Sequence, residues 1–259
     1  MNATILAQPS VEVGVPQCLT RLVDTLECVT SFDAAQAATM LAEVDVSNAD
    51  LSPWYDFDHP VRDSYGRLLV KRGSNFELMV MSWAPGDYSA IHDHGVAEWG
   101  AVRYFGAADH IVFTESAGLL SLERRMTMRI DDVFAVDHTL IHLMGNPTET
   151  PFVSLHLYGR ADSAESITGG ARIFELYENK IQRTDGGVFF CLPEGDIERR
   201  ESCPDADPET RILHHKLMLD RIERVLASER PDPVLAAKQQ RLKRELERLS
   251  GQQSLRVAS

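Results

Sequence analysis

A chain of 259 residues, 44% hydrophobic and 25% charged, has the length for one sizeable core and at most two domains. Its formal net charge of −13 argues against a phosphate-tracking nucleic-acid surface and against an anionic membrane partner. No run approaches 18 apolar residues, so no transmembrane helix is expected, and the N-terminus lacks the basic and apolar regions of a secretory signal. Four scattered cysteines without a CxxC pair (Cys18, Cys28, Cys191 and Cys203) read as reduced thiols, in keeping with a cytoplasmic location.

Residues 1–16 read as a disordered lead. Two helices are then expected across 17–50: Leu19, Leu22, Val23, Leu26 and Val29 recur at helical spacing, and Asp33 is placed to cap a second helix bearing Met40, Leu41 and Val44. From 51 to 194 the texture becomes short apolar or alternating runs, among them FELMVMSW, HIVFTE and FVSLHLYG, separated by turn residues. That pattern predicts an all-β barrel or sandwich. Residues 195–259 read as a charged linker followed by two amphipathic helices, at about 209–228 and 233–249, with Pro231 and Pro233 between them. The stripe Leu235, Leu242, Leu246 and Leu249 suits a helical hairpin, a coiled-coil contact or plain core packing. These helices are expected to pack on the barrel or on a second subunit, the latter giving a homodimer.

The chemistry concentrates in PGDYSAIHDHGVAEWG. On a strand His92 and His94 share one face and Asp93 the other, so two imidazoles converge while a tight turn at Gly86 feeds the segment. A third histidine should arrive from a later strand; His142 in LIHLMGNP is the best placed, ahead of His138 and His110. Three neutral imidazoles bind Fe, Zn, Cu or Ni. Ser154, His156 and Tyr158 also share one strand face by period two, which is costly in a core unless they line a site.

Glycine, HxH and a later histidine form the two-motif signature of cupins. The chain resembles more closely the cysteine dioxygenase (type I) branch of thiol dioxygenases, from about Trp54 to Leu192, through YGRLLV, FELMVMSW, IHDH, HLMGN and SLHLYG. The resemblance implies a cupin barrel with N-terminal helices and a C-terminal helical extension that has no family counterpart. It also implies Fe(II) on His92, His94 and His142, a Ser154–His156–Tyr158 relay, and Arg67 gripping a substrate carboxylate. The implied reaction takes a small thiol, with L-cysteine favoured, and O₂ to the sulfinate.

Two features depart from the family. Where some members carry a cysteine crosslinked to the tyrosine, a residue count from His94 reaches Trp99, whose indole is expected to reshape the pocket and to preclude a thioether. Glu98 stands where generic cupins often place a fourth ligand, so it is a ligand, a pocket neighbour or an outward charge. Trp83 reads as a core aromatic near the pocket, and Tyr65 as core or pocket wall. His59, His110, His138, His214 and His215 read as structural or solvent-exposed. The alternatives are a cupin metalloenzyme acting on another small carboxylate through Glu98, and a non-catalytic cupin whose C-terminal helices dock a partner.

Overall fold

The computed structural model describes residues 14–28, 32–161, 166–228 and 231–257. Val29 and nearly all of the expected lead lie outside them. Helix α1 (Gln17–Cys28) buries Leu19, Leu22, Val23 and Leu26, the apolar stripe of its sequence. Helix α2 (Ala34–Glu43) opens on a capping box. There the Gln36 N–H donates to the Asp33 carboxylate at 2.8 Å, and the Asp33 N–H donates to the Gln36 side chain at 2.9 Å. At the far end of α2 the Arg103 guanidinium donates to the carbonyls of Leu41 and Val44 and so satisfies groups the helix leaves open.

Twelve strands follow. The first six are β1 (Gly66–Arg72), β2 (Phe76–Trp83), β3 (Trp99–Tyr104), β4 (Ala108–Ser116), β5 (Leu119–Met128) and β6 (Val133–Asp137). The rest are β7 (Ile141–Gly145), β8 (Phe152–Gly159), β9 (Ala171–Glu175), β10 (Lys180–Thr184), β11 (Arg199–Ser202) and β12 (Asp205–Ala206). One sheet runs β1-β2-β8-β3-β6, a second β12-β5-β4-β7 and a third β11-β10-β9. The irregular segment around residues 88–92 bridges Gly145 and His142 of β7 on one side and Ile173 of β9 on the other. It thereby stitches the second and third sheets into one wall facing the first.

Every residue of β2 and of β8 is buried, because both faces of their sheet are covered. Period-two alternation divides them. Phe76, Leu78, Val80, Val153, Leu155 and Leu157 pack with α1 and α2, whereas Met79, Met81, Trp83 and Tyr158 belong to the interior of the barrel.

The C-terminal helices are α3 (Pro208–Ser228) and α4 (Pro233–Val257). They pack on the barrel: Met218, Ile222 and Leu242 join its interior cluster, each such burial being worth about 1.5–3 kcal/mol. The stretch read as a linker contains β11 and β12, which are edge strands. Their charged, mostly exposed side chains hid them from a hydrophobic-pattern reading.

Candidate metal centre

His92, His94 and His142 come together, each buried, with one nitrogen from each within 4.8 Å of the others. The path to His92 begins at Gly86, whose φ of +75° favours glycine. Asp87, almost fully buried, then accepts from the Ala84 N–H at 2.7 Å, and its carboxylate faces His59 at 3.1 Å and Arg221 at 2.7 Å. Beside it, the Arg224 guanidinium donates to the Pro85 carbonyl at 2.8 Å. Helix α3 thus clamps the turn that aims the first ligand. The HxH segment is not a regular strand as expected. His92 is an isolated bridge, exchanging backbone hydrogen bonds of 2.9 Å with His142, and regular pairing resumes only at β3. Asp93 points away and holds the Arg172 N–H and guanidinium.

The ring nitrogens that do not face the centre reveal the tautomers. His92 Nδ1–H donates to the Ala90 carbonyl at 2.9 Å, which leaves Nε2 as a lone pair. His142 Nδ1 lies 2.8 Å from His110 Nε2, and His110 Nδ1 lies 2.7 Å from the Tyr104 hydroxyl. With His142 Nε2 left as a lone pair, protons run from His142 to His110 and from His110 to Tyr104. His94 Nδ1 is buried without a hydrogen-bond partner among the described residues, and its Nε2 faces His142 Nε2 at 3.1 Å. This spacing also suits two lone pairs turned toward one cation. Adjacent nitrogens on one ion, with bonds of about 2.0–2.1 Å, stand roughly 3.0–3.4 Å apart. Burial pushes His92 down to about 4. Burial and then neighbouring imidazoles hold His94 and His142 well below the ordinary histidine range, so all three are neutral donors. The donor set fits a metal ion.

His110, read as structural or exposed, is fully buried and orients a ligand. Its only signal was its period-two phase with Ala108 and Val112 at the start of the β4 apolar run.

Across the pocket, the Trp83 indole N–H donates to Ser154 Oγ at 2.9 Å. Ser154 Oγ lies 2.7 Å from His156 Nε2, and His156 Nδ1 lies 2.9 Å from the Tyr158 hydroxyl. Trp83 has only a proton to give, so a buried Ser154 hydroxyl with no other acceptor among the described residues donates to His156. His156 Nδ1–H then donates to the Tyr158 oxygen, and the phenolic hydrogen of Tyr158 is left for the pocket. Burial raises the Tyr158 pKa, which keeps that hydrogen in place.

Tyr65, Arg67, Met81, His92, His94 and Tyr158 line one cavity of about 30 Å³. Tyr65 stacks on Trp83 at 4.6 Å and accepts from the Val188 N–H at 3.2 Å, so it forms wall rather than core alone. Arg67 donates to Thr168 Oγ1 at 2.9 Å and retains further N–H donors.

Two expected positions are corrected. Glu98 is exposed, and its carboxylate accepts from the Ala161 N–H at 2.9 Å, so it is not a ligand. Trp99 lies on the outer face of its sheet, packed on Phe32 at 5.2 Å within the helix-side cluster, and does not reshape the pocket. The residue opposite Tyr158 in the ladder is Gly100, where an added Cβ would meet the tyrosine ring at 2.8 Å. Because 95–96 form a turn, a count from His94 slips by one residue, and one residue exchanges the two faces of a strand.

The fold and the buried histidine triad define a cupin with a three-histidine metal site. The cysteine dioxygenase type I family profile matches residues 6–161, and the chain belongs to that family. The match spans Arg67, the three histidines and the Ser154–Tyr158 strand but stops before α3 and α4. Cysteine dioxygenase type 1 of Homo sapiens is 26% identical over 153 residues, covering 57% of this chain and 76% of that protein. The Danio rerio protein is 25% identical over 154 residues, covering 57% and 77%. Among solved structures, a cupin domain from Bordetella pertussis Tohama I aligns at 14% identity over 39% of this chain and 97% of that one (TM-score 0.32). A cupin 2 conserved barrel domain protein from Salinispora arenicola CNS-205 aligns at 16% over 41% and 86% (TM-score 0.31).

Proposed function

We propose that the protein is an Fe(II)-dependent thiol dioxygenase that converts a small carboxylate-bearing thiol, L-cysteine above others, and O₂ to the sulfinate. The balance is RSH + O₂ → RSO₂H, so both oxygen atoms end on sulfur and no other reductant is required. The observation that carries this reading is that one small cavity, lined by the Arg67 guanidinium and Tyr158, also opens on His92 and His94 of the neutral imidazole triad.

When bound, ferrous iron supplies the Lewis acidity and redox chemistry through which a thiolate and O₂ react. His92, His94 and His142 would hold it. Arg67 binds the substrate carboxylate with its planar fork and sets which end of the molecule faces the histidines. Tyr158, oriented by His156, Ser154 and Trp83, gives a hydrogen bond to the reacting groups and remains protonated throughout. A cavity of about 30 Å³ has room for about two waters, so substrate entry displaces most of the solvent.

Oxygen consumption with sulfinate detection, on iron-loaded protein, tests the reading with cysteine and with cysteamine, which lacks the carboxylate. Arg67→Ala should raise KM for cysteine by roughly 10–150-fold, the value of a charge-assisted hydrogen bond, and leave cysteamine little changed. Equal losses on both thiols would remove Arg67 from the carboxylate site, and no sulfinate from either would remove the activity.

A further inference from the structure

A second cavity, of about 490 Å³, opens between the start of α3 and the middle of α4, away from the histidine triad. Arg211, Arg241, Arg244 and Arg248 line it, with His215 and Tyr177. Arg241, Arg244 and Arg248 fall at intervals of three and four on one helix face, where like charges repel and weaken a helix. In a chain of net charge −13 this concentration of positive charge stands against the whole.

The partners within the cavity are unevenly distributed. Arg248 pairs with Glu245 at 2.6 Å, and Arg211 pairs with Asp205 at 2.6 Å. Arg241 and Arg244 have no partner among the described residues. His215, 1% exposed, lines the same cavity. His214 Nδ1 and His215 Nδ1 lie 3.2 Å apart and share one hydrogen bond, while His214 Nε2 lies 3.4 Å from the Leu176 nitrogen and 4.0 Å from the Glu175 carboxylate. His215 Nε2 has no hydrogen-bond partner among the described residues.

We propose that this cavity binds a small phosphate-bearing organic molecule. Two uncommitted guanidinium forks, with the Arg211 and Arg248 guanidiniums beside them, supply the several convergent donors that a phosphoryl group accepts. The volume exceeds what a bare phosphate fills, so the ligand brings an organic body, which the half-buried Tyr177 ring can contact. Such an occupant bridges α3 and α4 and relieves the repulsion along α4.

Calorimetric titration of iron-loaded, full-length protein with ATP, inorganic pyrophosphate and citrate, with iron measured before and after, tests the site. ATP should bind saturably, pyrophosphate more weakly because it lacks the organic body, and citrate most weakly. Affinity for ATP should fall with added salt and by at least about tenfold in the Arg241→Gln/Arg244→Gln variant. Both positions are exposed, so the variant should fold. In a parallel melting experiment, ATP should raise the Tm of the wild type and not of the variant. Absence of saturable ATP binding, equal affinity in the variant, or citrate binding tighter than both phosphates would overturn the proposal. ATP binding no tighter than pyrophosphate would overturn the organic body.

Discussion

The histidine pocket and the arginine cavity solve the problem of a buried or crowded charge in opposite ways. In the pocket, about 30 Å³ in volume, burial strips the protons from His92, His94 and His142 and leaves three neutral lone pairs converging on one point. In the cavity, about 490 Å³, the guanidinium charges cannot be shed, and two of them have no partner among the described residues. The first is therefore selective for a metal cation and the second for an anion, although histidine and arginine are both basic residues. What separates them is the depth of burial and whether the side chain is able to lose its proton.

The strongest way to break this comparison is to take one lone pair from the pocket. His142→Ala removes a ligand and should abolish both iron binding and activity, as should His92→Ala. Iron retained at wild-type stoichiometry in either variant would show that the triad is not the metal site. Neither change should alter binding at the arginine cavity.

The two regions also touch, through α3. Arg221 reaches Asp87 at 2.7 Å, with both side chains about 4% exposed, and donates to the Val61 carbonyl at 3.0 Å. Removing one partner of a buried pair costs up to about 3–5 kcal/mol, here lessened because Asp87 keeps His59 at 3.1 Å and the Ala84 N–H at 2.7 Å. Arg221→Ala should lower stability to denaturant by less than that and weaken iron binding as well, because Asp87 anchors the turn before His92. Loss of stability with unchanged iron affinity would separate the clamp from the ligand.

Much of the pocket was legible in the sequence because its rules are local. Ser154, His156 and Tyr158 share a face by strict period two, and HxH brings two imidazoles together whether or not the segment is a regular strand. The gaps arose where position depends on register or on distant partners. Trp99 was assigned to the pocket because a turn at 95–96 shifts the count by one, which moves Gly100 to Tyr158 and the indole to the other face. His110 acquires its role only when β4 pairs with β7, a contact between residues 32 apart. Likewise, β11 and β12 are charged edge strands whose pairing no apolar pattern announces.

His110 offers a finer test of the pocket. It accepts from His142 and passes the bond to Tyr104, so it fixes the ligand's ring and tautomer. His110→Ala should lower iron affinity by roughly 10–100-fold while leaving the triad present. Tyr104→Phe, which removes only the terminal acceptor, should have a smaller effect in the same direction. Unchanged affinity in His110→Ala, read by competition with a chelator, would reduce the relay to packing.

The smallest expected effect concerns pH and the helical region. Burial, then the Arg211 charge, pushes His215 down to about 4, whereas an unfolded histidine titrates near about 6.5. Lys238 acts in the same direction and Glu245 against it, and burial holds the neighbouring His214 well below the ordinary histidine range. Between these pH values the unfolded chain binds protons that the folded chain refuses. Stability is therefore fully present above about 6.5 and is lost as pH falls toward about 4. A glutamine amide can share a hydrogen bond with His214 in either direction, yet it takes up no proton in either state. His215→Gln should thus match the wild type in Tm near pH 7.5 and lose fewer degrees between pH 7.5 and 5. A drop as steep as that of the wild type would place the acid sensitivity in other groups, the pocket histidines first among them.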